Sequence, residues 1–157
     1  MEIRTIEITD YELERGKPLP SFEHSAVEGN LIFTLKTLYK DKFNVHPELS
    51  LDLEGEFLTP DISILPKLSV DFSKVHIKYT KAPIAVIEIL SPTQALADLF
   101  VKMHRYIDLG VKSVWIIEPM SKTVWVFNSK KEQTTFIGDK ISDAETGIAI
   151  EMNDIFN

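Results

Sequence analysis

The sequence predicts an α/β (α+β) domain, a mixed β-sheet flanked by helices, and three observations predict it. Residues 59–65 and 84–90 are short, mostly apolar runs that read as buried strands. Apolar residues recur at helical spacing from Ser21 to near Lys40, and again in the segment that ends at Gly110. The order that results is helix, strand, strand, helix, strand, strand, an alternation that places helices against a sheet.

Taken in order, residues 3–8 read as a strand, with a hairpin partner from Tyr11. Gly16, Pro18 and Pro20-Ser21 punctuate the next stretch of chain. Ser21 is placed to cap a helix, with His24 at its fourth position and Val27, Leu31, Leu35 and Leu38 along its apolar face. Residues 45–53 alternate weakly, as a strand region does, and Gly55 separates them from Phe57-Leu58 and the strand that Asp61 opens. Pro83 precedes 84–90, which is apolar on both faces and so reads as a central, covered strand. Ser91-Pro92 stops it. The next helix starts either at Pro92 or near Asp98, and Gly110 closes it. Residues 114–118 and 123–127 read as strands joined by the turn Pro119-Met120-Ser121-Lys122. A further strand pair near Thr134 and Ile148 and a short helical tail at 153–156 complete the chain.

The totals exclude several classes of function. A length of 157 residues fits a single domain over 1–157 with one core, and 44% hydrophobic with 26% charged residues is ordinary globular composition. There is no cysteine, so thiolate metal sites and cysteine nucleophiles are out. No apolar run approaches the ~18 residues of a membrane span. Met1-Glu2-Ile3-Arg4 does not look like a signal peptide, and the expectation is a cytoplasmic protein. The net charge of −7 argues against tight unspecific nucleic-acid binding. The charge is uneven, with 12 acids against 6 bases in residues 1–60 and 12 against 11 in residues 61–157. Lys67, Lys74, Lys78 and Lys81 form a basic stretch that either faces a phosphate backbone or is a solvated loop. His24, His46, His76 and His104 show no HExxH spacing, and neither a glycine-rich phosphate loop nor a G-x-S-x-G elbow occurs. Trp115 and Trp125 read as sheet packing.

Two carboxylates stand out because each lies in an apolar strand, where an unpaired charge is costly unless a cation or partner takes it. Asp61 after Pro60 is either a metal ligand or a turn residue opening a strand. Glu88, between Ile87 and Ile89, is a metal ligand in a cleft or the partner of a structural lysine or arginine. Adjacent strands would bring the two together and offer hard oxygen ligands to a divalent ion. Lys102 flanks the apolar face of its helix (Leu99, Met103, Tyr106, Ile107) and is either a cation for phosphate or an exposed partner of Asp98.

Pro60-Asp61, then Val86-Ile87-Glu88-Ile89-Leu90-Ser91-Pro92-Thr93, Asp98, Lys102, Tyr106 and Gly110-Val111 resemble the Uma-two family. Its members carry the description "putative restriction endonuclease", within the PD-(D/E)XK nuclease superfamily. Residues 11–17 and His24 resemble that family's opening hairpin and helix, so the likeness spans nearly the whole chain. It implies a restriction-endonuclease-like fold and metal-dependent hydrolysis of DNA phosphodiesters. Asp61 and Glu88 would hold Mg²⁺ or Mn²⁺, with the carbonyl of Ile89 as a third ligand. Lys102 would take the role of the lysine that the superfamily places two residues after the glutamate, where this chain has Leu90. Glu12 and His24 would be accessory. Cutting both strands would be simplest for a homodimer. A second class of function, a nuclease-like fold used as a binding or regulatory module, is motivated by the acidic charge balance and by Leu90.

Overall fold

The computed structural model describes residues 8–157. The strand expected over 3–8 therefore lies, but for its last position, outside the described residues. The hairpin partner expected from Tyr11 is instead a helix, α1 (Asp10–Arg15). Thr9 and Glu12 close a reciprocal capping box. The Thr9 hydroxyl accepts from the Glu12 N–H, and the Glu12 carboxylate accepts from the Thr9 N–H. Two apolar residues at spacing two, Tyr11 and Leu13, imitate a strand, but the capping box decides for helix. Gly16 ends α1 in the left-handed region at φ 70°.

Helix α2 (Phe22–Tyr39) begins as expected, with the Ser21 hydroxyl accepting from the His24 N–H at 3.1 Å. It buries His24, Val27, Leu31, Thr34 and Leu35. Leu38 is instead 57% exposed. The next strands are β1 (Phe43–Pro47), β2 (Leu51–Leu53), β3 (Glu56–Leu58), β4 (Ile62–Pro66) and β5 (Ala85–Ile89). After helix α3 (Leu96–Asp108) come β6 (Ser113–Glu118), β7 (Thr123–Phe127), β8 (Gln133–Ile137), β9 (Lys140–Asp143), β10 (Ile148–Glu151) and α4 (Met152–Ile155).

The main sheet runs β1-β4-β5-β6-β7-β8. Its β5–β6 pair is parallel and its other pairs are antiparallel. The parallel pair needs a crossover, and α3 is that crossover. One face of the sheet packs against α2, β9–β10 and α4, through Ile62, Ile64, Ala85, Ile87, Ile89 and Trp115. The other packs against α3 through Val86, Val114 and Ile116. Strand β5 is buried at all five positions, as its apolar run requires. By strand alternation Glu88 shares the α3 face with Val86.

Helix α3 starts between the two expected points and stops where the glycine says. The Val111 N–H bonds to the Tyr106 carbonyl and the Gly110 N–H to the Ile107 carbonyl, with Gly110 at φ 101°. This is the paired closure that only a left-handed residue allows without strain. No helix among the described residues is long and apolar enough to cross a membrane.

The strand pair expected near Thr134 and Ile148 does not form. Strand β8 pairs with β7, whereas β10 pairs with β9 in a separate ribbon. Both hairpins close locally, and short loops cost less entropy than a long one. The ribbon is pinned to the sheet by Asp143, which is 3% exposed. Its Oδ2 accepts from the Ser113 hydroxyl at 2.6 Å and from the Trp115 indole N–H at 2.9 Å. Asp143→Ala leaves both donors buried and unpaired, so a loss of roughly 2–5 kcal/mol is expected in urea denaturation. A loss within experimental error would show that the ribbon is not held by this carboxylate.

Candidate metal and phosphate site

Asp61 stands one residue before β4. The antiparallel register Ile62↔Ile87 sets it at the same end of the sheet as Glu88 and Ile89. Both carboxylates are buried, at 1% and 2% exposure. The backbone locks the junction, because the Ile89 N–H donates to Asp61 Oδ2 at 2.7 Å. Glu48 closes it from the other side in a left-handed conformation (φ 51°), with its N–H on the Asp61 carbonyl at 3.0 Å.

Two side chains the sequence reading did not select as site residues converge here. Lys17 Nζ lies 2.6 Å from Asp61 Oδ1 and 3.3 Å from Glu48 Oε2. Glu28, one helical turn beyond His24, faces the same point. His24, an accessory position in the sequence reading, sits with its Nε2 3.1 Å from Asp61 Oδ2. The one local signal for Glu28 was its i+4 spacing from His24, which puts both on one face of α2. Glu12, the other accessory position, uses its carboxylate on the Thr9 and Leu19 N–H groups and so shapes the turn that delivers Lys17.

Glu88 is served from α3. Its Oε1 accepts from the Tyr106 hydroxyl at 2.7 Å and lies 3.2 Å from Lys102 Nζ. Lys102 and Tyr106 are four residues apart and share a face of the helix. Lys102 is the seventh residue of α3, or roughly 9 Å of axial rise from its start, close enough for the strand end to be reached. Its partner is Glu88 rather than Asp98.

The two carboxylates are pushed in opposite directions. Burial by itself pushes the Asp61 carboxyl up, but the His24 hydrogen bond and the Lys17 charge outweigh it and hold the group well below the usual carboxylate range. Burial pushes Glu88 up, the Lys102 charge opposes this, the Asp61 charge adds to it, and the net direction is upward. Such divergence in one cluster is typical of functional sites. Burial, reinforced by the charges of Asp61 and Glu48, pushes Glu28 up to about 7 from its ordinary 4.5. The folded state then holds that proton more tightly than the unfolded chain. Stability in EDTA is therefore expected to fall as pH rises from 4.5 through about 7, and Glu28→Gln is expected to flatten this slope. Denaturation curves across that window check it, and an unchanged slope in the variant would refute it.

The donor set fits a cation. One ligand atom each from His24, Glu28 and Asp61 lie within 4.8 Å of one another. Among the described residues, His24 Nδ1 and Glu28 Oε1 are buried with no hydrogen-bond partner. Buried lone pairs left unsatisfied require an explanation, and an ion or water bound there would be one.

The lysines of 67–81 do not join this cluster. Their loop leaves the far end of β4 and enters the far end of β5, so the pair's connection lies opposite Asp61 and Glu88. Lys78 rests over the Phe57 ring, and Lys74 pairs with Asp71. Trp115 is core, and Trp125 packs edge-on against Phe100.

The family model described as "Uma2: Putative restriction endonuclease" matches residues 2–153. No curated protein matches the chain. Among solved structures it is similar to "a putative nuclease belonging to DUF820" from Anabaena variabilis. The identity is 22% and the TM-score 0.78, over 88% of this chain and 83% of that one, a likeness of fold.

Proposed function

Because the chain belongs to the Uma2 family of putative restriction endonucleases, we propose that it is a divalent-metal-dependent endonuclease of the PD-(D/E)XK type that hydrolyses DNA phosphodiester bonds. Residues 1–157 act as a single nuclease-like domain in this reading. The observation that carries it is the pair of buried carboxylates on adjacent strands, with Lys102 Nζ 3.2 Å from Glu88. Mg²⁺ or Mn²⁺ would be held by Asp61 and Glu88, with the Ile89 carbonyl, and with His24 and Glu28 at its flank. When bound, the ion supplies Lewis acidity and neutralises phosphoryl charge.

The protein's own groups do the rest. Asp61, kept ionised by His24 and Lys17, gives a fixed negative charge to the site. Tyr106 holds Glu88 in one orientation through its hydroxyl. Lys102, whose side chain is 25% exposed, reaches from the helix toward solvent and can meet a phosphate or the attacking water. The superfamily lysine position is Leu90 here, and the Lys102–Glu88 contact supports Lys102 as its replacement. Two copies would cut both strands of a duplex. A monomer in light scattering at working concentration would remove that part.

The test is purified protein with supercoiled and single-stranded DNA in Mg²⁺, Mn²⁺ and EDTA. Metal-dependent cleavage is expected. Its absence in every metal favours the second reading, a nuclease-like binding or regulatory module. Leu90 at the motif position and the Lys17 ammonium on Asp61 both support that reading.

A further inference from the structure

We propose that Lys17 is an internal cation that competes with a divalent metal for Asp61, so that it sets the metal affinity of this site. The inference rests on the nuclease reading only in naming the ion. A carboxylate that is 1% exposed requires a counter-charge, and among the described residues Lys17, His24 and the Ile89 N–H converge on Asp61. Of these, only Lys17 brings a permanent positive charge on a flexible stem.

Its ammonium is 2.6 Å from Oδ1, a short charge-assisted hydrogen bond on the oxygen a metal ion would need. The same ammonium is 3.3 Å from Glu48 Oε2, so one positive charge bridges two carboxylates as a metal ion would. An ammonium has no lone pair and cannot become a ligand. A dication on Oδ1 would meet a like charge within a few ångströms, where little solvent screens the repulsion. Metal and Lys17 therefore exclude one another at this oxygen.

The surroundings allow the lysine to leave. Lys17 is not on a sheet or long helix but between Gly16, at φ 70°, and Pro18. A cavity of about 470 Å³ opens beside it, bordered by Glu12, Leu13 and Thr93. The side chain can rotate into that space while Glu12 keeps the turn in place through the Leu19 N–H. Lys102, by contrast, is anchored on α3 and serves the other carboxylate. Competition then falls on Lys17 alone of the two lysines.

The experiment is Mn²⁺ calorimetry without nucleic acid on wild type, Lys17→Met, Lys17→Arg and the double variant Lys17→Met/Asp61→Asn. Removing the charge is expected to tighten Mn²⁺ binding by ~10-fold or more, keeping it as arginine to give no such gain, and the double variant to lose the gain. Equal or weaker binding by Lys17→Met overturns the proposal. If that variant does not fold, wild type alone decides. Amine acetylation read by mass spectrometry should modify Lys17 faster in Mg²⁺ than in EDTA, with exposed Lys130 as internal standard. Labelling indifferent to metal overturns the proposal. Tighter metal binding by Lys17→Met with no DNA cleavage by either protein would sink the nuclease reading and leave Lys17 standing. Cleavage by wild type with unchanged Mn²⁺ affinity in Lys17→Met would do the reverse.

Discussion

Asp61→Ala is expected to cost about 3–5 kcal/mol of folding stability and, in the same variant, to remove the proposed metal-dependent cleavage. The carboxylate is the meeting point of Lys17, His24 and the Ile89 N–H. Removing it leaves the Lys17 ammonium, with 6% of its side chain exposed, short of its nearest counter-charge. Uncompensated burial of a charge, rather than the lost bonds themselves, makes the effect large. Adding Lys17→Met to Asp61→Ala should therefore restore part of the loss, a coupling that a double-mutant cycle in urea reads directly. The acid limb obeys the same physics. Asp61 is held below its unfolded value, so its contribution is present above the ordinary carboxylate range and is lost as pH falls through the lowered one. A single-variant loss under about 1 kcal/mol would place Asp61 among ordinary surface pairs and contradict its burial.

Glu88→Gln is expected to separate activity from stability. Cleavage should fall on the order of 10³-fold, since several kcal/mol of charge stabilisation pass through this carboxylate in the proposed mechanism. Stability should stay within about 1 kcal/mol of wild type or rise, because a buried charge is exchanged for a neutral isostere. The amide oxygen can still accept from the Tyr106 hydroxyl, and the partly exposed Lys102 can turn its ammonium to water. Burial already pushes the Glu88 carboxyl upward, so the neutral form is the one the fold tolerates more easily. Supercoiled-DNA nicking and thermal unfolding on the same preparation check both halves. Cleavage that survives the substitution would end the role assigned to Glu88. A collapse of stability would make it a structural glutamate instead.

The site was only partly legible in the sequence. Asp61 and Glu88 could be singled out because a carboxylate in an apolar run is conspicuous, and Lys102 because it flanks an apolar helical face. Glu28 was hidden by an ordinary helix surface pattern, and Lys17 by lying in a turn among Gly16, Pro18 and Pro20. Asp143 was hidden for a related reason. Its partners Ser113 and Trp115 belong to another strand 30 and 28 residues earlier, and nothing local marks it as buried. The helix α1 was read as a hairpin strand although a local signal for it, the Thr9-x-x-Glu12 capping box, was present in the sequence.

What the sequence by itself determined was whatever local chemistry decides. The apolar runs became β4 and β5, Ser21 capped α2, Gly110 closed α3, and the residues now in β6 and β7 formed a hairpin around their turn. Each of these arises from backbone preference and short-range hydrogen bonding. Only the tertiary structure decided who neutralises whom. Lys17 meets Asp61 across 44 residues of chain, and Tyr106 meets Glu88 across 18. Burial and charge pairing depend on distance in space, and the sheet register that sets those distances is a property of the folded chain as a whole.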